Sequence, residues 1–212
     1  MNIKAVTVAS LLANVVLIAL LLTRTGVVED QRKTVEGDSV NLFDGETMEG
    51  WRPLSEQWSV QDSAIVCPTS QRIHFLVSER VVDSPFRLRY QVWLVERSRS
   101  DGKIVGFVDA AGDNVLVAMD DDAPHTLQID SGRKYIDPSG IYGPWKREAA
   151  AEFQVQTGMW YDVVCTVDGA DFTVRSGDVQ LSHPYIPVFP VSIWLEVQRT
   201  GAKYRNIRVE KL

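Results

Sequence analysis

The sequence predicts an all-β sandwich or jelly roll that follows a single N-terminal transmembrane helix. Three observations predict this fold. Residues 5–22 form an apolar stretch without a charged residue. Beyond Val40, hydrophobic side chains recur at every second residue, which is the period of a β-strand. Turn residues separate these segments about every 8–12 residues, which is typical of sandwiches and barrels.

The composition is that of a globular protein and argues against several classes of function. Of the 212 residues, 45% are hydrophobic and 24% are charged, which is too apolar for a disordered chain. A net charge of −6 argues against a nucleic-acid partner, because it leaves no basic surplus to displace counterions from phosphates. Two cysteines and three scattered histidines do not supply an all-cysteine or histidine-based zinc site. We therefore expect neither a metal nor a cofactor.

The first 25 residues are predicted to anchor the chain in a membrane. With a rise of about 1.5 Å per residue, a helix over residues 5–22 nearly spans a bilayer core of about 30 Å. Apolar positions along this helix include Ala5, Leu12, Val16, Leu20 and Leu22. A cleaved signal peptide is one alternative, but residues 23–26 (TRTG) are a poor cleavage site. A buried core helix is the other.

A linker is predicted over residues 26–39, which are charged and low in aromatic residues, and the sandwich domain over residues 40–212. Lys and Arg are more frequent at residues 24–33 than before the anchor, and by the positive-inside rule this places the domain in the cytoplasm. The four-residue N-terminal tail is instead typical of a signal anchor. We expect the second arrangement, a single-pass membrane protein with an extracytoplasmic, periplasmic domain.

Strands are predicted throughout the domain. Clear alternation covers residues 86–94, 125–130, 161–167, 192–198 and 204–209, and shorter strands are expected at 58–60, 64–67, 103–108 and 115–119. The pair Asp168-Gly169 between two such segments predicts a hairpin. Residues 146–153 are the helix-like piece outside the anchor.

Several motifs resemble the 3-keto-disaccharide hydrolase family. Residues 42–51 (LFDGETMEGW) resemble its opening Leu-Phe-Asp-Gly-Lys-Thr-Leu-x-Gly-Trp, and residues 204–212 resemble its closing Phe-Arg-Asn-Ile-Arg-Ile-x-x-Leu. Shorter matches follow the family order at residues 58–62, 128–130, 139–142 and 158–161. The resemblance covers about residues 40–212. It implies a concanavalin A-like jelly roll that cleaves glycosides whose sugar carries a 3-keto group.

The sequence departs from the family at polar positions. The family usually carries Asn-Ser-Gly-Ile followed by an Arg in a central strand, whereas residues 101–108 (DGKIVGFV) lack that Asn, Ser and Arg. The family's Glu before Val-Gln-Ile is Thr126 here, and its Asn after Trp is Tyr161. If these groups line the substrate pocket, this chain has lost several of them, so the resemblance supports the fold more than catalysis.

The outward faces of the alternating strands are predicted to form one concave surface that suits a sugar. Aromatic rings pack on the apolar face of a sugar ring, while amides and carboxylates bind its hydroxyls. The ligand-binding candidates are Trp93, Gln128, Trp194 and Gln198. The alternative is an ordinary solvated sheet face.

Catalysis would require carboxylates on the same surface. Asp130 and Glu196 are the candidates, because both face outward and a glycosidase uses two carboxylates at a fixed separation. Removal of a proton alpha to the 3-keto carbonyl would instead need one base and an oxyanion stabiliser, for which Arg89 is the candidate. The alternative is that these residues form charge pairs on a sheet.

Two further features concern docking and redox chemistry. The segment 184–190 holds three prolines, which predicts an edge or loop whose apolar residues form a docking patch or pack into the core. Its candidates are Tyr185, Ile186, Val188 and Phe189. Cys67 and Cys165 lie in predicted strands and form either a disulfide or two separate buried thiols.

Three functions are compatible with these patterns. The first is a structural or interaction subunit of a larger membrane complex, for instance a photosynthetic or respiratory assembly, with the bilayer and other membrane-protein subunits as partners. The second is a hydrolase of 3-keto-disaccharides or related glycosides. The third is a non-catalytic module with a glycan ligand. We favour the first, because the missing polar residues, the proline-rich segment and the anchor all point to it.

Overall fold

A computed structural model describes the chain from Lys33 to Leu212, apart from residues 70–71, 95–102, 121–125, 134, 138–139, 143–144, 157 and 199–200. The chain divides into two units, residues 1–32 and residues 33–212, and only the second is described below. The predicted anchor and the first part of the predicted linker lie outside the described residues. In the part that is described, no helix is long and apolar enough to span a membrane.

The described residues form eighteen strands and no α-helix. In chain order the strands are β1 (Lys33–Thr34), β2 (Ser39–Asn41), β3 (Trp51–Pro53), β4 (Ser59–Gln61), β5 (Ala64–Cys67), β6 (Ile73–Val82), β7 (Phe86–Leu94), β8 (Lys103–Val108), β9 (Asp113–Asp120), β10 (Thr126–Arg133), β11 (Tyr135–Asp137), β12 (Gly140–Tyr142), β13 (Lys146–Glu152), β14 (Trp160–Val167), β15 (Asp171–Ser176), β16 (Val179–Pro184), β17 (Val191–Gln198) and β18 (Ala202–Lys211).

Two eight-stranded sheets pack face to face. Sheet A has the order β1-β6-β17-β8-β9-β10-β13, and β3 also pairs with β6. Sheet B has the order β16-β15-β14-β7-β18-β5-β4, and β2 also pairs with β18. Strands β11 and β12 form a separate hairpin. The predicted all-β sandwich is confirmed for the described residues, and its architecture is consistent with a jelly roll.

The core lies between the sheets and follows the predicted alternation. Along β7, buried residues alternate with half-buried ones from Phe86 to Leu94. In β17, Ile193, Leu195 and Val197 face the same core. Each such side chain contributes roughly 1.5–3 kcal/mol through burial of apolar surface. The period of two therefore assigned the inward residues of these strands correctly.

The helix-like segment is a strand. Residues 146–152 form β13, which pairs antiparallel with β10, and Leu127 stands opposite Ala151. Alanine favours a helix only weakly, by less than about 1 kcal/mol per residue over most other residues. Strand β10 presents a row of backbone groups that need partners, and pairing with them outweighs that preference. The prediction of a helix was wrong because this pairing is not visible in the local sequence.

The hairpin at Asp168-Gly169 is confirmed. Asp168 Oδ1 accepts hydrogen bonds from the backbone N–H groups of Ala170 and Asp171, at 2.9 and 2.8 Å. Gly169 has φ +95°, a left-handed conformation that side chains disfavour. Side-chain capping and the glycine together close the turn between β14 and β15.

Cys67 and Cys165 are not paired. Both are free and buried, and they lie in β5 and β14 with two strands between them in sheet B. Three strand spacings separate them by about 14 Å, and the register offsets them by a further six residues along β7, so the two residues are about 25 Å apart. A disulfide needs a Cα separation below about 7 Å, so of the two alternatives the structure has the two separate buried thiols. Burial raises the pKa of the Cys67 thiol to about 12.

Candidate functional site

The outward-facing candidates do not share one surface. Arg89 and Trp93 lie in β7 of sheet B, whereas Gln128, Asp130, Trp194 and Glu196 lie in β10 and β17 of sheet A. Gln198 ends β17. The core separates the two sheets by about 10 Å, and the outward side chains point away from each other. Arg89 therefore cannot act on the same substrate as Asp130 and Glu196, and the expected single surface is replaced by two.

Within sheet A, the two candidate carboxylates are far apart. Register places Trp194, Gly106, Leu116 and Asp130 in one row across β17, β8, β9 and β10. Glu196 lies two residues further along β17. From strand spacing and rise, its backbone is about 16 Å from that of Asp130. Catalytic carboxylates of glycosidases are about 5–9.5 Å apart, so this spacing does not favour a paired-carboxylate mechanism.

Trp194 seals the middle of this outer face. A Cβ on Gly106 would lie 2.0 Å from both Cε2 and Cζ2 of the indole, so the ring rests directly on the glycine backbone. The rings of Phe75 and Trp145 pack on it at centroid distances of 6.1 and 6.4 Å. The indole is 0% exposed. Trp194 thus faces outward as predicted, but it is not accessible to a ligand.

A second apolar cluster surrounds this indole on the outer side of sheet A. It consists of Phe75, Val77, Val108, Leu116, Ala118 and Trp194, with Leu54 and Trp145 packed against it. Strand β12 contacts β6, which lies near one edge of sheet A. The hairpin to which β12 belongs connects β10 to β13, which lie at the opposite edge. Leu54 and Trp145, which come from outside the strands of this cluster, therefore cover part of the outer face of sheet A.

Three polar side chains lie in the same face. Glu196 is 2% exposed and Gln128 is 5% exposed. Gln128 Oε1 and Asp130 Oδ1 are buried and accept no hydrogen bond within the described part of the chain. Arg147 Nε lies 3.8 Å from Asp130 Oδ1. Unsatisfied buried acceptors are uncommon in proteins and mark this row as a candidate site.

The electrostatics single out Asp130. Burial raises the pKa of its carboxyl group, Arg147 opposes that rise, and Glu148 adds to it. The side chain is 17% exposed, so that it remains within reach of a small ligand. A carboxylate with a raised pKa is a better general base than an ordinary surface aspartate.

A buried histidine lies in the same sheet and was not identified as a site by the sequence. His74 Nδ1 is 2.8 Å from Ser55 Oγ, and its side chain is buried. Burial lowers the pKa of His74, and the charge of Arg72 lowers it further. The two partners are nineteen residues apart with no motif between them, and only the pairing of β3 with β6 brings them together.

The proline-rich segment is a braced loop. Asp109 Oδ2 accepts a hydrogen bond from the Val188 N–H at 2.9 Å, while its Oδ1 accepts from Ala111 and Asp113. Tyr185 is buried and Phe189 packs on the core, whereas Ile186 and Val188 are 79% and 54% exposed. The structure therefore divides the predicted docking residues into two anchors and two exposed apolar tips.

A groove of about 530 Å³ adjoins this loop. Its lining includes Tyr185 and Ile186 from the loop, Ser131 from β10, and Trp145 with Lys146 at the start of β13. Trp145 therefore borders the groove on one side and packs on Trp194 on the other. The groove thus lies between the exposed loop and Trp145, which packs on the outer face of sheet A.

These features define the class of protein. The fold is that of concanavalin A-like lectin and carbohydrate-binding domains, as three solved structures illustrate. The carbohydrate-binding module CBM66 from Bacillus subtilis is 15% identical, with a TM-score of 0.59 over 76% of this chain and 96% of its own. The Emp47p carbohydrate recognition domain is 16% identical, with a TM-score of 0.61 over 82% of this chain and 95% of its own. An endo-acting O-glycanase of the human gut microbiota is 10% identical, with a TM-score of 0.62 over 82% and 98%.

Residues 38–210 match the 3-keto-alpha-glucoside-1,2-lyase-like domain, and the chain belongs to this family. The resemblance inferred from the opening and closing motifs is thereby confirmed. No curated protein matches the sequence. At identities this low, the solved structures establish the fold alone.

We predict that Gly106→Ala destabilises the domain by about 3 kcal/mol, at the upper end of overpacking costs, because the new methyl group overlaps the Trp194 ring. Urea denaturation measures the free energy of unfolding. Combining Gly106→Ala with Trp194→Leu should remove the overlap, so the double variant should be as stable as Trp194→Leu alone. A change below about 0.5 kcal/mol for Gly106→Ala would contradict the packing described here.

We predict that stability falls on acidification because of His74. Its pKa is lowered in the folded state, so the unfolded chain binds more protons below the ordinary histidine value of about 6.5. The contribution is complete above that pH and is lost as the pH falls towards the folded-state pKa. Urea midpoints between neutral and mildly acidic pH measure the slope, and His74→Gln should flatten it. If His74→Gln shows the same dependence of stability on pH as the wild type, a group other than His74 causes that dependence.

Proposed function

We propose that this protein is an interaction subunit of a larger membrane assembly, built on a carbohydrate-active fold. The observation that carries the proposal is the burial of the side chains expected to bind sugar. Trp194, Glu196 and Gln128 are 0%, 2% and 5% exposed, so no saccharide can stack on that indole as the domain stands. The absence of the family's Asn, Ser and Arg from residues 101–108 supports the same conclusion.

The braced proline loop supplies the docking element. Exposed apolar side chains on a monomer mark sites of interaction when they are grouped and held in place. Ile186 and Val188 are held by the buried ring of Tyr185 and by the hydrogen bond to Asp109. A loop that is already ordered loses little conformational entropy on binding. The partner that fits is a protein segment with apolar side chains for the loop and polar groups for the Trp145 groove.

Residues 1–25 complete the proposal as a single-pass anchor, with the sandwich in the periplasm. The uncharged stretch over residues 5–22 and the charged linker support this topology. The host would then be an assembly of integral membrane proteins, for which a photosynthetic or respiratory complex is an example. The anchor would keep the loop at a high local concentration near its partner.

We predict that the full chain co-migrates with other membrane proteins in a fixed ratio after gentle solubilisation of native membranes. Size separation followed by mass spectrometry measures the ratio. A double variant, Ile186→Asp with Val188→Asp, should lose most of the co-migrating partner, because both charges would be buried in the interface. Leu212→Asp is the matched control, since Leu212 is also an exposed apolar residue. A chain that migrates alone, or equal loss in the control, would refute the proposal.

A second candidate function is turnover of 3-keto-glycosides, which the family membership and the unsatisfied acceptors of Gln128 and Asp130 favour. Asp130 would accept the proton alpha to the 3-keto carbonyl, and Arg147 beside it would stabilise the resulting enolate. The electron pair of the enolate would then break the bond between C1 and the glycosidic oxygen, which takes up a proton from water and leaves as an alcohol. This mechanism needs only one carboxylate, so the wide spacing of Asp130 and Glu196 does not oppose it. It does require the cover over sheet A to open.

If this second function holds, Asp130→Asn should lower turnover of a 3-keto-disaccharide by about 100-fold or more, because the base is removed. Product formation by the purified full chain measures it. Asp162→Asn on sheet B is the matched control and should leave the rate unchanged. No product with the wild-type chain would exclude this candidate, and saturable sugar binding without product would assign a glycan-binding module instead.

A further inference from the structure

The outer face of sheet B differs from that of sheet A in being open and basic. Its described charged residues are the cations Arg87, Arg89, Arg175, Lys203, Arg205 and Arg208 and the carboxylates Asp162, Asp171 and Glu210, all exposed or half-buried. Six positive charges against three negative charges give this face +3, while the whole chain carries −6. These four strands therefore carry a basic surplus in a chain that is acidic as a whole.

Three guanidinium groups converge on one carboxylate at the centre of this face. Arg89 Nε and Arg87 Nη1 lie 3.2 and 3.6 Å from Glu210 Oε2, and Arg208 Nε lies 3.9 Å from Oε1. One carboxylate neutralises only one of the three positive charges. Asp44 and Glu46 line a pocket that Arg208 also borders, but the ion pairs described for the three arginines all go to Glu210. The centre of the face therefore keeps a basic surplus that attracts external anions.

An aromatic pair borders this centre. The rings of Trp93 and Trp160 meet edge to face at 5.5 Å, and the guanidinium of Arg205 lies 3.9 Å above the Trp160 ring. Gln91 Oε1 accepts a hydrogen bond from Arg205 Nε at 2.7 Å and fixes that position. Arg205 thus occupies the ring face of Trp160 on which a sugar would stack. The pair is consequently a poor sugar platform, whereas tryptophan is enriched at membrane–water interfaces.

We propose that the outer face of sheet B lies on a membrane surface that contains anionic lipids. The basic row from Arg175 through Arg89 to Arg208 spans four adjacent strands, or about 14 Å, and is therefore wide enough to meet several headgroup phosphates. Trp93 and Trp160 would lie at headgroup depth beside it. Attraction between this basic face and the anionic headgroups would orient the domain.

The proposal rests on the membrane anchor of the function proposed above, but it uses the opposite sheet and no residue of the proline loop. It does account for how a tethered domain could present that loop in a defined direction. Basic clusters near a bilayer are attracted within about one Debye length, roughly 8 Å at physiological ionic strength, so the attraction should be sensitive to salt.

The test uses the full chain reconstituted in nanodiscs of phosphatidylcholine alone or mixed with phosphatidylglycerol, each doped with brominated lipid that quenches tryptophan. We expect stronger quenching in the anionic discs, reversed by high salt. Arg175→Gln with Arg208→Gln should remove most of that increase. Arg52→Gln with Arg72→Gln is the matched control, because it removes two exposed cations from the sheet A side and should leave the increase intact.

Three results would overturn the proposal. The first is equal quenching in neutral and anionic discs. The second is the same loss in the control pair as in the Arg175 and Arg208 pair. The third is that polygalacturonate at low concentration displaces the domain from the disc surface, while quenching without it shows no preference for anionic discs. That result would identify an acidic polysaccharide as the ligand of this face. Unchanged urea midpoints in both pairs of variants show that each variant is folded. Co-migration with a partner is measured in a separate experiment, so that failure of this proposal and failure of the proposed docking function can be distinguished.

Discussion

The indole of Trp194 rests on the backbone of Gly106, where a single added methyl group would lie 2.0 Å from two ring atoms. Alternation along β17 places this residue on the outer side of sheet A, away from the main core. The glycine lets the ring lie against the sheet, and Phe75 and Trp145 then close over it. The burial of Glu196 and Gln128 beside it depends on that same cover. Because Gly106 has no side chain, the Trp194 ring can lie on the sheet, and its position limits which residues of this face a ligand can reach.

The two outer faces of the sandwich consequently have different capacities. The outer face of sheet A is closed by an apolar cluster with Leu54 and Trp145 packed on it, and Asp130 and the groove beside Trp145 are its accessible features. Sheet B stays open and carries the surplus of arginine around Glu210. A fold shared with carbohydrate-binding proteins is here combined with a closed outer face of sheet A, an exposed apolar loop and a basic surface. Family membership alone therefore does not determine the function.

Much of the fold was predictable because a strand has a period of two, as β7 and β17 illustrate. The period assigns a residue to the inner or outer side of its own strand, but it does not say which sheet the strand joins. Arg89 and Asp130 were therefore placed on one surface although they lie on opposite faces. The period also does not identify which strands are neighbours, so it left the pairing of Cys67 and Cys165 open and did not reveal that β13 pairs with β10. Nor does the pattern reveal that an outward residue such as Trp194 is covered, because its cover comes from distant segments.

Hydrogen exchange of the indole N–H groups, followed by NMR on the full chain, tests the closure of sheet A most directly. If Trp194 is sealed as described, its Nε1–H should exchange only through global unfolding, at the rate of the most protected core amides. The half-buried indoles of Trp93 and Trp160 should exchange far faster under the same conditions. Exchange of the Trp194 N–H at a rate comparable to theirs would mean that the face opens readily. Sugar binding or turnover on sheet A would then replace docking as the leading account.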